Sequence, residues 1–125
     1  MDKKKRLRKK YFIYRKKKYF DIKPSFFNPL LRLIKKKNKK RFINLASYYP
    51  ASYEVNILKL FKTEVINKLR IFLPVLTGVG KMDFYEWKKN EILEINKFGM
   101  LEPVLLSRKI VPDIMLVPLL AYDNQ

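Results

Sequence analysis

Three sets of residues have types and spacings that could do chemistry. Lys4, Arg8 and Arg15 stand at i, i+4 and i+11. On a helix they project from one broad face, and such a row can clamp a polyphosphate, with arginine giving bidentate contacts. The alternative is a solvated charged face. Glu54 follows a strand candidate and a loop after Pro50, and it precedes a stretch of helical period. In an α/β sheet that position is prone to hold a site; the alternative is a helix N-terminal carboxylate stabilised by the dipole. Gly78-Val79-Gly80-Lys81 invites a phosphate-loop reading, but Val75 stands where its first Gly is required and Met82 where Ser or Thr would meet magnesium. It therefore reads as a hairpin turn using Gly for positive φ. Trp87 and Phe98 lie near loops, where an aromatic ring either stacks on a flat ligand or packs in the core.

Composition narrows the chemistry. The chain has no Cys and no His, which excludes disulfides, thiolate metal sites, Cys nucleophiles and a Ser-His-Asp triad. The net charge of +18 is local: residues 1–41 hold 19 of the 29 Lys and Arg but only Asp2 and Asp21 among the 11 acids. This basic part either binds phosphates or reflects a composition rich in Lys, Asn, Ile, Phe and Tyr, all with A/T-rich codons. No secretory signal and no apolar run long enough to span a bilayer is present, so the expectation is a cytoplasmic protein with no membrane partner. At 125 residues a single domain with a modest core is expected.

The elements that would position these residues follow from period and punctuation. Residues 3–18 read as a basic helix with Leu7, Tyr11 and Tyr14 on one face and Asp2 favouring its start. Pro24 and the cap candidate Ser25 mark a break. Phe27, Leu30, Leu31 and Ile34 then predict a short amphipathic helix with Pro29 in its first turn. Lys35 to Arg41 reads as a helix end and loop. Phe42 to Tyr49 is a strand candidate. Residues 55–68 return to helical period, with Leu58, Phe61 and Val65 on one face. Leu69 to Val75 is a strand ending at Pro74, and Met82 to Trp87 an alternating strand. Residues 88–103 read as loop, and 104–109 have no clear period. Pro112 to Asp123 is apolar without polar alternation, which predicts a central strand buried on both faces and ending near Val117. This order predicts an α/β fold: a three-layer sandwich with a mixed, mainly parallel sheet and basic N-terminal helices. Ending on its most hydrophobic strand would leave that strand uncovered, so the sheet is expected to be incomplete at the C-terminus.

Read together, these stretches resemble the 5-formyltetrahydrofolate cyclo-ligase (methenyltetrahydrofolate synthetase) family. Lys4-Lys5-Arg6-Leu7-Arg8 matches the family's K-x-x-L-R opening, with Arg15 at a further basic position. Tyr49-Pro50-Ala51-Ser52-Tyr53-Glu54-Val55-Asn56 is similar to a stretch ending in E-[VI]-[DN]. Leu73-Pro74-Val75 follows, and Met82 to Trp87 is similar to M-x-F-x-x-W. Phe98-Gly99-Met100-Leu101-Glu102-Pro103 looks like F-G-I-x-E-P, with Leu101 where many members have Pro. Pro112 to Asp123 is similar to P-D-[LI]-[IV]-L-V-P-[GL]-[LV]-A-[FY]-D.

The resemblance implies an ATP- and Mg2+-dependent cyclisation of 5-formyltetrahydrofolate to 5,10-methenyltetrahydrofolate. This chemistry needs positioning and charge neutralisation more than an acid–base triad. It implies that Lys4, Lys5, Arg6, Leu7 and Arg8 belong to the ATP site, and that Tyr49, Glu54, Met82 and Phe98 bind the folate. It also implies a monomer with no nucleic-acid partner. Family members continue after the last Asp with R-L-G-x-G-x-G-Y-Y-D-R, which wraps the ATP phosphates; the sequence reaches Gln125 before any such stretch. The expectation is a truncated member whose metal ligands are unassigned and whose catalysis depends on that stretch. Two readings from other classes remain: a small basic protein binding nucleic acid through residues 1–41, and a remnant that aggregates through its uncovered strand.

Overall fold

The computed structural model describes residues 2–37, 39–63, 67–104 and 109–123. The first helix, α1, runs over Lys3–Lys18, and the Asp2 side chain caps it by accepting from the Lys4 backbone N–H at 3.2 Å. Its last turn holds Arg15, Lys16, Lys17 and Lys18, where cations suit the negative helix end. None of its residues is buried. The face of Leu7, Tyr11 and Tyr14 is therefore not a core face. With 11 cations in 16 residues, the helix lies on the surface and lines a groove.

A 3-10 helix, Pro24–Phe27, leads directly into α2, Asn28–Lys37. Ser25 lies inside the 3-10 turn, and its role is through its carbonyl, which accepts from Asn28 N–H. Helix α2 buries Leu31 and Ile34, as its 3.6-residue period predicts. Strand β1 is Ile43–Ala46, shorter than the apolar run around it. Residues 57–62 form a second 3-10 helix rather than an α-helix, and the residues it buries are Ile57 and Leu60, not the Leu58 and Phe61 face. Asn56 caps it through a 3.1 Å bond from Leu58 N–H, and a tighter three-residue turn brings Ile57 and Leu60 over one another. Val65 lies outside the described residues.

Strand β2, Leu69–Gly78, runs through Pro74 instead of stopping at it. Phe72 O accepts from Ser47 N–H and Ile71 O from Trp87 N–H, so even-numbered residues of β2 turn their backbone groups toward β1. Pro74 falls on that side beyond the last β1 partner, where no donor is needed. Strand β3, Lys81–Glu86, returns antiparallel through a tight turn at Val79 and Gly80, whose φ is +68°. The hairpin reading of the Gly78 to Lys81 stretch therefore holds. Residues 88–103 contain a second small sheet, β4 (Leu93–Ile95) paired with β5 (Leu101–Pro103), where the sequence reads as loop. Its three-residue strands are too short to show alternation. The turn is set by Asn96, whose side chain accepts from Phe98 and Met100 N–H and donates to the buried Glu102 at 2.6 Å.

Strand β6 is Ile114–Met115, and the main sheet runs β3-β2-β1-β6, with β1 parallel to both β2 and β6. The α/β class and the mixed, mainly parallel sheet are thus those the sequence predicts. The position of the last strand is not. Among the described strands β6 is an edge, paired with β1 alone, and Met115 and Val117 are 49% and 60% exposed. Pro112 and Pro118 bracket it and neither can donate, so the paired segment is short even though the apolar run is long. Leu116 N–H still bonds to Ala46 O at 2.9 Å.

Asp113 fastens this edge. Its backbone N–H donates to Asn44 O, its carboxylate accepts from Asn44 N–H at 3.0 Å, and Lys40 Nζ donates to its other oxygen. These bonds, that of Lys40 first, hold its carboxyl below the ordinary Asp range. A group whose folded pKa is depressed stabilises the fold above its unfolded pKa, and the contribution disappears as pH falls through the folded value. Asp113→Ala is expected to cost ~1–2 kcal/mol near neutral pH and to flatten the acid limb of a urea-denaturation pH series. An unchanged limb would show that β6 is held by backbone pairing alone.

The core lies on one face of the sheet. Ile43 and Leu45 of β1 and their register partners Leu69 and Ile71 of β2 meet Ile22, Phe27, Leu31 and Ile34 from the helical segments, with Ile57, Leu60 and Trp87. Ala46 and its partner Phe72 point to the opposite face and are fully buried as well, so both faces of the sheet are covered. Among the described residues no helix is long and apolar enough to cross a membrane.

Candidate functional site

Seven residues of α1 at positions 4, 7, 8, 11, 14, 15 and 18 line open space along one side of the helix. Their spacing is that of a single helical face. The opposite wall is the chain after β6. Lys4, Leu7, Arg8 and Tyr11 face Leu120 to Asp123 across one pocket of about 590 Å3. Tyr14, Arg15 and Lys18 face Val117 to Leu120 across a second, of about 390 Å3. Leu120 lines both, so the two form one groove between α1 and residues 117–123.

The second pocket is the more elaborate. Its floor includes Glu54 and Tyr48, presented by the segment after β1. Ser52 and Tyr53 both have positive φ, 50° and 63°, and Glu54 N–H closes the turn onto Ala51 O at 2.9 Å. Positive φ at both central positions is the geometry of a type I′ turn, and in residues other than Gly it costs ~1–3 kcal/mol apiece. The Tyr53 ring holds it in place, lying edge-on to Phe12 at 6.0 Å and Tyr19 at 5.9 Å with Lys16 Nζ over its face. The strained turn thus ties Glu54 to α1 and aims the segment into the groove.

Burial raises the Glu54 carboxyl above the ordinary Glu range, and the charge of Arg15 opposes the shift. Tyr48 is pushed up to about 12, first by burial and then by the Glu54 charge, against Arg15. Its hydroxyl donates to Val55 O at 2.9 Å. Arg15 Nε is buried without a hydrogen-bond partner. The pocket therefore sets one half-buried carboxylate and one guanidinium side by side among aromatic rings, with Lys18 exposed at its rim. Such a wall takes a flat, partly polar ligand that both donates and accepts hydrogen bonds.

The other pocket has different chemistry. Lys4 and Arg8 give it two cations, Tyr11 a ring and Asp123 a carboxylate. Lys4 and Arg8 are donors for phosphate oxygens, and the Asp123 carboxylate is an acceptor beside them. Among the described residues no group of three or more metal-ligating side chains occurs.

The residues singled out in the sequence are distributed unevenly. Lys4, Leu7 and Arg8 line the cationic pocket, while Lys5 and Arg6 are exposed on α1 and line neither. Glu54 lines the aromatic pocket. Tyr49 lies edge-on to Trp87 at 6.0 Å, and Trp87 likewise to Phe61 at 5.6 Å. Met82 and Phe98 are 52% and 66% exposed on β3 and on the β4–β5 turn; neither they nor Tyr49 line the Glu54 pocket. Tyr48 and Lys18 are absent from the sequence reading. Lys18 lies three residues after Arg15, on the same face, and that spacing was the signal that could have found it.

No family model matches the chain. A probable 5-formyltetrahydrofolate cyclo-ligase of Schizosaccharomyces pombe is 38% identical over 61 residues, a match covering 44% of this chain and 30% of the relative. The solution structure of Aquifex aeolicus 5,10-methenyltetrahydrofolate synthetase superposes with a TM-score of 0.69 at 26% identity, covering 96% of this chain and 62% of that one. The chain thus spans less than two thirds of the length of either protein.

Proposed function

We propose, on the premise that the chain belongs to the 5-formyltetrahydrofolate cyclo-ligase family, that its groove binds 5-formyltetrahydrofolate and ATP side by side for cyclisation to 5,10-methenyltetrahydrofolate in cytoplasmic one-carbon metabolism. One observation carries this reading: the cationic pocket and the aromatic pocket that holds Glu54 are adjacent along α1, with Leu120 lining both. Ligands held that way lie next to each other, as a group transfer between them requires.

In the proposed reaction the formyl oxygen attacks the γ-phosphorus and the bond to the ADP oxygen breaks. N10 then attacks the activated formyl carbon, the carbon–oxygen bond breaks, and the departing phosphate takes the N10 proton as it leaves. Lys4 and Arg8 hold phosphate oxygens and offset their charge, the larger part of catalysis in phosphoryl transfer. Glu54 accepts hydrogen bonds from the pterin or N10 region and fixes the ring. The aromatic walls offer flat apolar surface to the ring. Mg2+ bound with a nucleotide takes one or two carboxylates together with phosphate oxygens, and Asp123 is the carboxylate of the cationic pocket; the ion would supply further neutralisation there. Tyr49, Met82 and Phe98 would meet folate only beyond the Glu54 pocket.

Direct binding to the full chain tests the reading. Titration calorimetry is expected to show ATP and 5-formyltetrahydrofolate bound together, one of each. The double substitution Lys4→Ala/Arg8→Ala is expected to weaken ATP ~10–30-fold at low salt, two charge-assisted contacts being lost, and to leave the folate within ~2-fold. Mutually exclusive ligands, or ATP binding unmoved by the double substitution, would sink the two-pocket arrangement.

A further inference from the structure

The buried Nε of Arg15 has no protein partner. A buried donor without an acceptor is costly, so the Arg15 side chain gains by turning its guanidinium to an acceptor in the pocket that it lines. Arg15 is half-buried, whereas Lys18, one turn further along α1, is exposed. The two cations of the aromatic pocket therefore stand at different depths. The deeper one is next to Glu54, close enough for its charge to act on that carboxyl.

An acceptor and a donor side by side on an apolar wall complement an amide edge, in which a ring N–H or amino group lies next to a carbonyl. We propose that Arg15 is a specificity-determining residue that donates to the ring carbonyl of a 4-oxo pterin, while Glu54 accepts from the neighbouring nitrogens. This rests on the folate reading above and deepens it. It assigns the carboxylates of the folate tail to the rim, where Lys18 is solvated, and the neutral lactam edge to the interior. A carbonyl replaced by an amino group would set donor against donor at Arg15, and sites built to hydrogen-bond a ligand reject such analogues strongly.

The test measures equilibrium binding to the full chain of three ligands: 5-formyltetrahydrofolate, its 4-amino counterpart, and a tetrahydropterin without the aminobenzoyl-glutamate tail. The wild-type chain should prefer the 4-oxo compound by ~10-fold or more. Arg15→Gln should weaken the 4-oxo ligands ~10–30-fold, change the 4-amino ligand by less than ~3-fold, and so remove the preference. Arg15→Lys, which keeps the charge but not the planar guanidinium, should fall between them. Arg15 lies on a helix with no buried residue, so these substitutions leave the fold in place.

Equal wild-type affinity for the 4-oxo and 4-amino compounds would overturn the assignment without using a variant. So would equal losses for both in Arg15→Gln. A loss confined to tail-bearing ligands would overturn it too, and would place a carboxylate at Arg15. Folate binding without these differences would refute the Arg15 assignment alone, whereas no folate binding by the wild-type chain would refute the folate reading together with it.

Discussion

Replacing Glu54 by Gln is expected to weaken 5-formyltetrahydrofolate binding by about 100-fold while leaving the fold intact. Glu54 is the carboxylate among the residues lining the aromatic pocket. Two ligand N–H groups on a half-buried carboxylate contribute ~1.5–3 kcal/mol each. The substitution keeps the shape, removes the charge and turns one acceptor into a donor facing a donor. The free protein should not suffer. Burial raises the Glu54 pKa, so the folded state holds the proton to higher pH than the unfolded chain, and stability falls as pH rises through that window. Removing the charge leaves the thermal midpoint unchanged or slightly raised. The ligand needs the ionised form, so wild-type affinity should drop as pH falls through a value above the ordinary Glu range. Parallel calorimetry and thermal denaturation of Glu54→Gln decide the matter. A change in affinity below ~5-fold would remove Glu54 from the site, and a large loss of thermal stability would mean that it serves the fold.

Phe72→Ala carries the largest structural effect, an expected loss of ~3–5 kcal/mol. Phe72 is 0% exposed, lies opposite Ala46 in the register of β1 and β2, and faces away from the helix-covered core. Truncation leaves a cavity next to a residue with no side chain long enough to fill it. Domains of this size hold ~5–15 kcal/mol in all, so the midpoint should fall by ~10–20 °C. Circular dichroism melting reads the result. A shift of a few degrees would mean that this face collapses onto the gap. Because Ser47 N–H bonds to Phe72 O, the same residue anchors the start of the segment that presents Tyr48 and Glu54. A loosened Phe72 should therefore also weaken ligands of the groove.

Much of this protein was settled by local order in the chain. The period of residues 3–18, the punctuation at Pro24 and Pro29, and the glycine at position 80 fix α1, the start of α2 and the β2–β3 turn, because capping, proline geometry and positive φ are decided within a few residues. The pattern of Lys4, Arg8, Arg15 and Glu54 likewise marked residues that the structure places on one groove. What tertiary structure decided was neighbourhood. The run from Pro112 to Asp123 reads the same whether a strand is central or at an edge, because hydrophobicity counts burial but not partners; among the described strands it pairs with β1 alone. Residues 3–18 read as a basic helix with Leu7, Tyr11 and Tyr14 on one face, but that this face would line a groove depended on the segment 117–123, about a hundred residues further along the chain. No local rule could show that Arg15 would meet Glu54 there with its Nε buried and without a hydrogen-bond partner. That depends on a strained turn at Ser52 and Tyr53, held by rings from another element, and only long-range packing supplies the energy to keep it.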